Sequence, residues 1–199
     1  MSELFSIQLQ NRQQQGRDGV WLDLPTTTEQ VQAALRQIGI SSDNPQGLFI
    51  SGYFAEEEKR FAIPYNMVLA SNVDELNFLA ARLETLSAGG RAELNAALQA
   101  PQSELFSIGR ITDFPENVDY YMHLPDVRGP AQLGDYYLNR SGMVDMPEEW
   151  KSGIDTAQFG RYVAQQEQGV FTEYGYLVKS GDAWQKVHEG QPVPEEYRV

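Results

Sequence analysis

The chain contains few side chains that could carry out chemistry. Its 199 residues include no cysteine, and its two histidines, His123 and His188, lack the His-Glu-x-x-His spacing of a zinc site. It has no glycine-rich phosphate loop, no Gly-x-Ser-x-Gly nucleophile turn and no dinucleotide-binding fingerprint. The absence of cysteine excludes disulfides, thiolate catalysis and cysteine-ligated zinc. We therefore predict no catalytic residue, no metal ion and no cofactor.

Carboxylates are the reactive groups that remain, and they are plentiful. Glu148 and Glu149 are adjacent acids of the kind that acid–base catalysis employs, but such pairs on an exposed turn are usually a solvated surface. An enzyme that works with carboxylates is therefore the third interpretation of the chain, behind the two binding roles given below. A concave pocket with converging acids would favour it, and a convex acidic ridge would count against it.

The overall charge is strongly negative. The chain has 28 acidic and 15 basic residues, a formal net charge of −13 and an isoelectric point near 4.5. Such a field repels nucleic acid and anionic membranes and attracts basic partners, although acidity also serves solubility alone. The N-terminus has no signal-peptide pattern, and no apolar run reaches the roughly 18 residues of a membrane span. We expect a cytoplasmic protein that binds neither nucleic acid nor membrane.

Acidic residues are frequent between positions 113 and 173, where they mostly stand singly rather than in one block. The bases of this stretch are Arg128, Arg140, Lys151 and Arg161. On a folded scaffold such acids become fixed points of negative charge, a coarser version of DNA phosphates spaced ~3.4 Å along one strand. A groove lined by lysine and arginine would bind them as it binds DNA. The predicted acidic surface consists of Asp113, Glu116, Asp119, Asp126, Asp135, Asp145, Glu148, Glu149, Asp155, Glu167 and Glu173.

Strand and helix patterns predict an α+β fold of three small domains. The first contains three strand-like stretches, a turn at 11–19 and one helix, whose apolar stripe begins at Val31. The second is helical, and Asn72 with Glu75 matches a capping box. The third mixes strands and helices again, with Asp155 as a helix cap. The predicted domains are 1–70 (α+β), 71–112 (helical) and 113–199 (α+β).

The end of the chain combines a strand pattern with a polar tail. Residues 169–178 alternate apolar and polar, which predicts one strand with Phe171 and Leu177 facing a core and Glu173 facing outward. Residues 188–199 contain two prolines and few apolar side chains. We therefore expect a loosely held tail. No role is assigned to the residues after Val178.

Five segments resemble, in order, the sequence pattern of the ArdA antirestriction family. They are GVWLDLP with its following helix from Gly19, NVDELNFLAARLETLS from Asn72, ENVDYYMHLPDV from Glu116, LGDYYLNRSGMVDMPEEW from Leu133 and IDTAQFGRYVAQQEQGVFTEYGYLV from Ile154. They run from about 19 to 178 and cover most of the chain. Two positions depart from the pattern: Tyr162 replaces the acid of a Phe-Gly-Arg-Asp helix, and Arg140 stands where the family is acidic.

The resemblance implies a DNA mimic. Members of the family are elongated, three-domain, acidic homodimers that occupy the DNA-binding groove of type I restriction-modification enzymes and protect incoming mobile DNA in bacteria. The family's dimer contact lies in the C-terminal domain and implies contacts at Leu133, Gly134, Tyr136 and Tyr137. Tyrosine suits such an interface because it buries a large ring and keeps a polar end. The alternative is an acidic interaction adaptor that keeps this fold and binds another basic DNA-binding protein.

Overall fold

The computed structural model describes residues 3–14, 18–41, 46–101 and 103–198. Part of the turn predicted at 11–19, namely residues 15–17, lies outside these ranges. The strands are β1 (Phe5–Asn11), β2 (Val20–Leu24), β3 (Leu48–Phe54), β4 (Tyr121–Leu124), β5 (Val170–Thr172) and β6 (Gly175–Lys179). The α-helices are α1 (Thr28–Gln37), α2 (Tyr65–Leu69), α3 (Val73–Glu84), α4 (Ala88–Gln99), α5 (Ile108–Thr112), α6 (Pro130–Asp135), α7 (Glu148–Lys151) and α8 (Thr156–Glu167).

Helices and antiparallel sheets occur together, in agreement with the predicted α+β class. Residue contacts divide the chain into two compact units. The first unit is Met1–Ser87, Glu104–Glu116 and Gln185–Val199, and the second is Ala88–Ser103 and Asn117–Trp184. The segment 71–112 is thus shared between the two units, and the division into three domains stays a prediction. Within the described ranges, every helix is too short or too polar to cross a lipid bilayer.

Local sequence signals account for several helix starts. Thr27 and Gln30 form a capping box at the start of α1, in which each side chain bonds the backbone N–H of the other residue. The predicted box of Asn72 and Glu75 is present at α3. The Asp155 carboxylate accepts a hydrogen bond of 3.0 Å from the backbone N–H three residues on, which confirms it as the cap of α8. Each cap satisfies amides that have no partner within the helix.

The first unit has a three-stranded antiparallel sheet in the order β2-β1-β3. Alternate residues of β1 are buried, because successive side chains of a strand point to opposite faces. The buried face packs with the apolar stripes of the helices, which include the predicted stripe of α1. This core contains Phe5, Ile7, Leu9, Leu22, Leu24, Val31, Leu35, Leu76, Leu79 and Leu83.

The second unit has a three-stranded antiparallel sheet in the order β4-β6-β5. The single strand predicted over 169–178 is wrong, because this stretch is the hairpin of β5 and β6. Gly175 has φ +130, which a side chain would oppose, and the Thr172 hydroxyl accepts the Tyr174 backbone N–H at 3.1 Å. The turn places Glu173 outside, as expected, and buries Leu177.

Candidate functional site

Two glycines allow the helices α6 and α8 of the second unit to pack with their backbones in contact. A Cβ atom on Gly134 would lie 1.9 Å from the Thr156 carbonyl oxygen. A Cβ atom on Gly160 would lie 1.8 Å from the Pro130 carbonyl oxygen. The backbones therefore touch, and no other residue fits at either position. This contact fixes α8 and the acids at its two ends against the rest of the unit.

Beside these helices, one carboxylate accepts hydrogen bonds from two tyrosines of the core. Glu167 accepts hydrogen bonds from the Tyr137 hydroxyl at 2.5 Å and from the Tyr176 hydroxyl at 2.9 Å. Burial, and then the bond to Glu167, raise the pKa of both phenols well above the usual range. The tyrosines stay neutral donors at physiological pH, so the Glu167 charge is held by hydrogen bonds inside the unit rather than displayed as a free anion.

Most residues of the predicted dimer contact are buried in the core of the second unit. Leu133, Gly134 and Tyr137 are buried in this unit, and Tyr136 is half-buried with its ring 5.4 Å from that of Tyr137. Side chains that fill the core of one copy are not available to a second copy. Of the four, only Tyr136 keeps a partly open surface. The dimer contact itself stays a prediction.

The acidic surface is the other part of the candidate site, and most of its predicted members are exposed. Their positions are turns and helix ends, where a side chain has few neighbours. Four of them are exposed and form no ion pair with any residue that the structure describes: Asp119, Asp126, Asp145 and Glu149. These four are the best placed to act as bare anions.

Other predicted acids have partners that reduce their field. Glu116 pairs with Arg82, Asp135 with Arg140 at 3.0 Å, and Glu148 with Lys151 at 2.7 Å. Glu148 remains 81% exposed, so its pair is largely screened by water. The two further exposed members have polar contacts: Asp155 caps α8, and Glu173 accepts a hydrogen bond from Gln99.

Asp113 is the exception, and its assignment to the surface is corrected by the structure. The residue is fully buried in the first unit. Its carboxylate accepts the backbone N–H groups of His188 at 2.6 Å and Glu189 at 3.2 Å. A buried carboxylate needs such donors, and they come from a segment some 75 residues away. No local sequence pattern could have predicted them.

Sheet topology groups some of the exposed acids. Asp126 follows the end of β4, and Glu173 lies in the turn between β5 and β6. Because Leu124 pairs with Tyr176 at this end of the sheet, the two acids lie at the same end. Asp119 precedes β4 and lies at the opposite end. The second unit thus carries negative charge at both ends of one rigid sheet.

The two histidines make structural contacts, whereas the adjacent acids Glu148 and Glu149 are exposed. A ring nitrogen of His123 lies 2.9 Å from the Tyr174 carbonyl oxygen, and His188 packs edge-on against Phe78. Glu148 and Glu149 lie in the first turn of α7 and are exposed. The described residues contain no group of three or more histidine, cysteine or carboxylate side chains that could hold a metal ion.

One partly buried acid of the second unit, Glu93, was not predicted from the sequence. Glu93 lies in α4, and its Oε1 atom is buried without a hydrogen-bond partner. Burial, and then the negative charge of Asp119, raise the pKa of Glu93 to about 8. The sequence around Glu93 has an ordinary helical pattern. Only the packing of α4 in this unit removes water from the carboxylate.

The comparison with protein families decides the assignment. The sequence model described as Antirestriction protein (ArdA) matches residues 15–178. This chain belongs to the ArdA antirestriction family. Family membership implies an antirestriction function. It implies that the chain inhibits restriction enzymes by interacting with them, and not by a catalytic activity of its own. The search of curated proteins finds no match.

The ArdA match covers both parts of the candidate site. It includes every member of the predicted acidic surface and the whole segment predicted for the dimer contact. It ends at Val178, within β6. The final segment, 185–198, therefore lies outside the ArdA pattern, although it supplies both amides bound by Asp113.

Proposed function

We propose that this chain is a DNA mimic, which occupies the DNA-binding groove of a type I restriction-modification enzyme and thereby protects incoming mobile DNA. The observation that carries the proposal is the group of exposed, unpaired acids on the second unit. Asp119, Asp126, Asp145 and Glu149 present negative charge that no described cation offsets. A DNA-binding enzyme offers lysine and arginine at the positions of phosphates, and these acids complement them.

The rigidity of the scaffold favours mimicry over loose electrostatic attraction. The exposed acids lie on turns and helix ends of a unit whose helices touch through Gly134 and Gly160. Because the backbone that bears the carboxylates is already ordered, little backbone entropy is lost when the enzyme binds them. A mobile acidic tail would have to be ordered at that moment.

The partners of the other acids suggest unequal contributions. Asp135 is paired with Arg140, a base at a position where the family is acidic, and Glu167 is held by two tyrosines. Tyr162, which replaces an acid of the family pattern, is exposed and uncharged. We therefore assign the main contribution to the unpaired acids and a smaller one to the paired ones.

We further propose that the active form is an elongated homodimer of three-domain subunits that acts in the cytoplasm. The predicted contact segment, 133–137, includes the half-buried Tyr136. Two large apolar side chains, Met143 and Trp150, follow it and are exposed. Apolar surface of this kind is common at the centre of homodimer interfaces. Residues such as these, rather than the buried Leu133, would meet the second copy.

A competition experiment tests the proposed function. A purified type I methyltransferase bound to a labelled DNA duplex is titrated with the protein at 50 and 200 mM salt. We expect the DNA to be displaced, with an apparent affinity that falls steeply as salt rises, because the acids compete for cations that also bind phosphates. A complex that contains enzyme, DNA and protein together would contradict mimicry. Failure to bind the enzyme, with retention of another basic protein from the same cells, would support the adaptor instead.

A further inference from the structure

The exposed edge of the first unit's sheet has no role in the function proposed above. β2 is at the edge of the order β2-β1-β3, and among the described residues it pairs with β1 alone. Every second residue of an edge strand points its N–H and C=O groups away from the sheet. Such a row of unpaired groups is a template for one more strand.

A groove runs along this edge. Its volume is about 490 Å³, and its walls are β2 and α1. We call it the β2 groove. The strand contributes Trp21, Leu22 and Asp23, and the helix contributes Gln30, Ala33, Ala34 and Gln37. Alanine is the smallest side chain that a helix can present without the flexibility of glycine, so the helix wall leaves room beside the strand.

The charged side chains that line the β2 groove among the described residues are all negative. Glu3 and Asp23 line it, and none of the described lining residues is lysine or arginine. One oxygen of Asp23 accepts the Ser6 hydroxyl at 2.6 Å, and the residue is exposed. Trp21 is 49% exposed, and an indole ring attracts cations through its face. An occupant of this groove would therefore be positively charged.

The pleat of the sheet divides the occupant's side chains into two sets. Trp21 and Asp23 are two residues apart and lie on the outer face, whereas Leu22 is buried on the core face. An added strand would direct alternate side chains toward the outer pair and the others toward Ala33 and Ala34 of α1. Basic residues suit the first set and small apolar residues suit the second.

We propose that the β2 groove binds an extended segment of a partner protein, in which lysine or arginine alternates with small apolar residues. The segment adds to β2 as a fourth strand, so the main chain supplies the hydrogen bonds and alternate side chains supply the selectivity. This site is in the first unit and uses none of the acids assigned to DNA mimicry. It gives the chain a second way to hold a basic protein, by strand addition rather than by a field of charges.

A designed peptide tests the proposal with the full-length protein. The probe is a seven-residue peptide that alternates lysine with alanine or valine. Its matched control has the same sequence with N-methyl groups on alternate amides, which removes donors but keeps the charge. We expect the probe to shift the backbone amide resonances of Val20–Leu24 and to quench Trp21 fluorescence, and the N-methylated peptide to bind at least tenfold more weakly. Equal binding of the two peptides, or shifts confined to the second unit, would overturn strand addition.

Variants separate the groove from general electrostatics. Ala33→Leu narrows the groove and should weaken the probe at least tenfold, whereas Gln32→Leu, on the same helix but outside the lining, should not. Asp23→Asn should weaken the probe several-fold more than Glu57→Gln, which removes an equal charge elsewhere in this unit. No binding of the probe to the unaltered protein would contradict the proposal. Concentration-dependent protection of the β2 amides in the free protein would contradict it too, because a second copy would then fill the groove.

Discussion

The carboxylate of Asp113 accepts the backbone N–H of His188 at 2.6 Å. It also accepts the next amide, that of Glu189, whose side chain pairs with Arg110 at 3.3 Å. Phe78 lies 5.0 Å from the rings of both His188 and Tyr197. The tail that composition predicts to be loosely held is therefore bound to the first unit by a buried carboxylate, an ion pair and aromatic contacts.

Removal of residues 185–199 should destabilise the first unit by about 3 kcal/mol or more, because the buried Asp113 loses its two amide donors and Phe78 loses its ring contacts. Asp113→Asn, which keeps the size and removes the charge, should cost about 1–2 kcal/mol. Urea unfolding measures both. Glu195→Gln with Glu196→Gln is the control, because these exposed side chains of the same segment should change nothing. Unchanged stability of the truncated protein would show that the tail is dispensable.

The sequence predicted those parts of the fold that depend on neighbouring residues. The caps Asn72 and Asp155 and the stripe from Val31 are local, because each needs partners within one or two helical turns. The hairpin within 169–178 was missed because alternation of apolar and polar residues continues through its turn. Only the backbone of Gly175 marks the reversal, and a single glycine does not identify a turn.

The sequence predicts that the candidate site consists of exposed acids, but it does not predict which individual acids are buried. Exposed acids such as Asp126 and Glu149 follow from turn positions and polar neighbours. The burial of Asp113 and the desolvation of Glu93 depend on segments that are distant in sequence, so no periodicity records them. The family resemblance that points to Leu133 does not distinguish a core role from an interface role, and the structure buries this side chain in the core.

Gly134→Ala and Gly160→Ala should each destabilise the second unit by about 3 kcal/mol or more. The new methyl group would meet a backbone carbonyl at under 2 Å, and a backbone cannot swing aside as a long side chain can. Thermal unfolding measures the loss. Gly129→Ala is the matched control at the N-cap of α6, where a Cβ meets nothing within 4 Å and a loss of about 1 kcal/mol or less is expected. Equal stability of all three variants would refute the close contact of α6 and α8.

Glu93 should make the second unit less stable as pH rises. Its pKa is raised to about 8, first by burial and then by Asp119, so folding favours the protonated form. The stabilisation is complete below the unfolded pKa near 4.5 and is lost as pH rises through 8. Glu93→Gln should remove this dependence and gain about 2 kcal/mol at pH 9, because partial exposure screens the full penalty. Unfolding at pH 5 and pH 9 measures it.

Carboxyl NMR of the unaltered protein provides a direct check on Glu93. A carboxyl carbon signal of Glu93 that titrates near 8 would support the effect of burial. A lower titration midpoint of the same signal in Asp119→Asn would support the effect of the Asp119 charge. Glu148→Gln is the control for the stability measurement, since Glu148 is 81% exposed and its removal should leave the pH dependence in place. Titration of Glu93 at its ordinary value would contradict the buried position of its Oε1 atom.

Neutralising the unpaired acids of the second unit should weaken binding to a type I methyltransferase. In the variant Asp119→Asn, Asp126→Asn, Asp145→Asn and Glu149→Gln, each lost charge should cost about 0.5 kcal/mol, so the four together weaken competition with DNA about 30-fold and reduce its salt dependence. The control neutralises four exposed acids of the first unit, Glu57, Glu58, Glu195 and Glu196. Both proteins lose the same net charge, so a fixed array predicts a much smaller effect for the control. Equal losses would mean that total charge, and not its position on the second unit, determines binding.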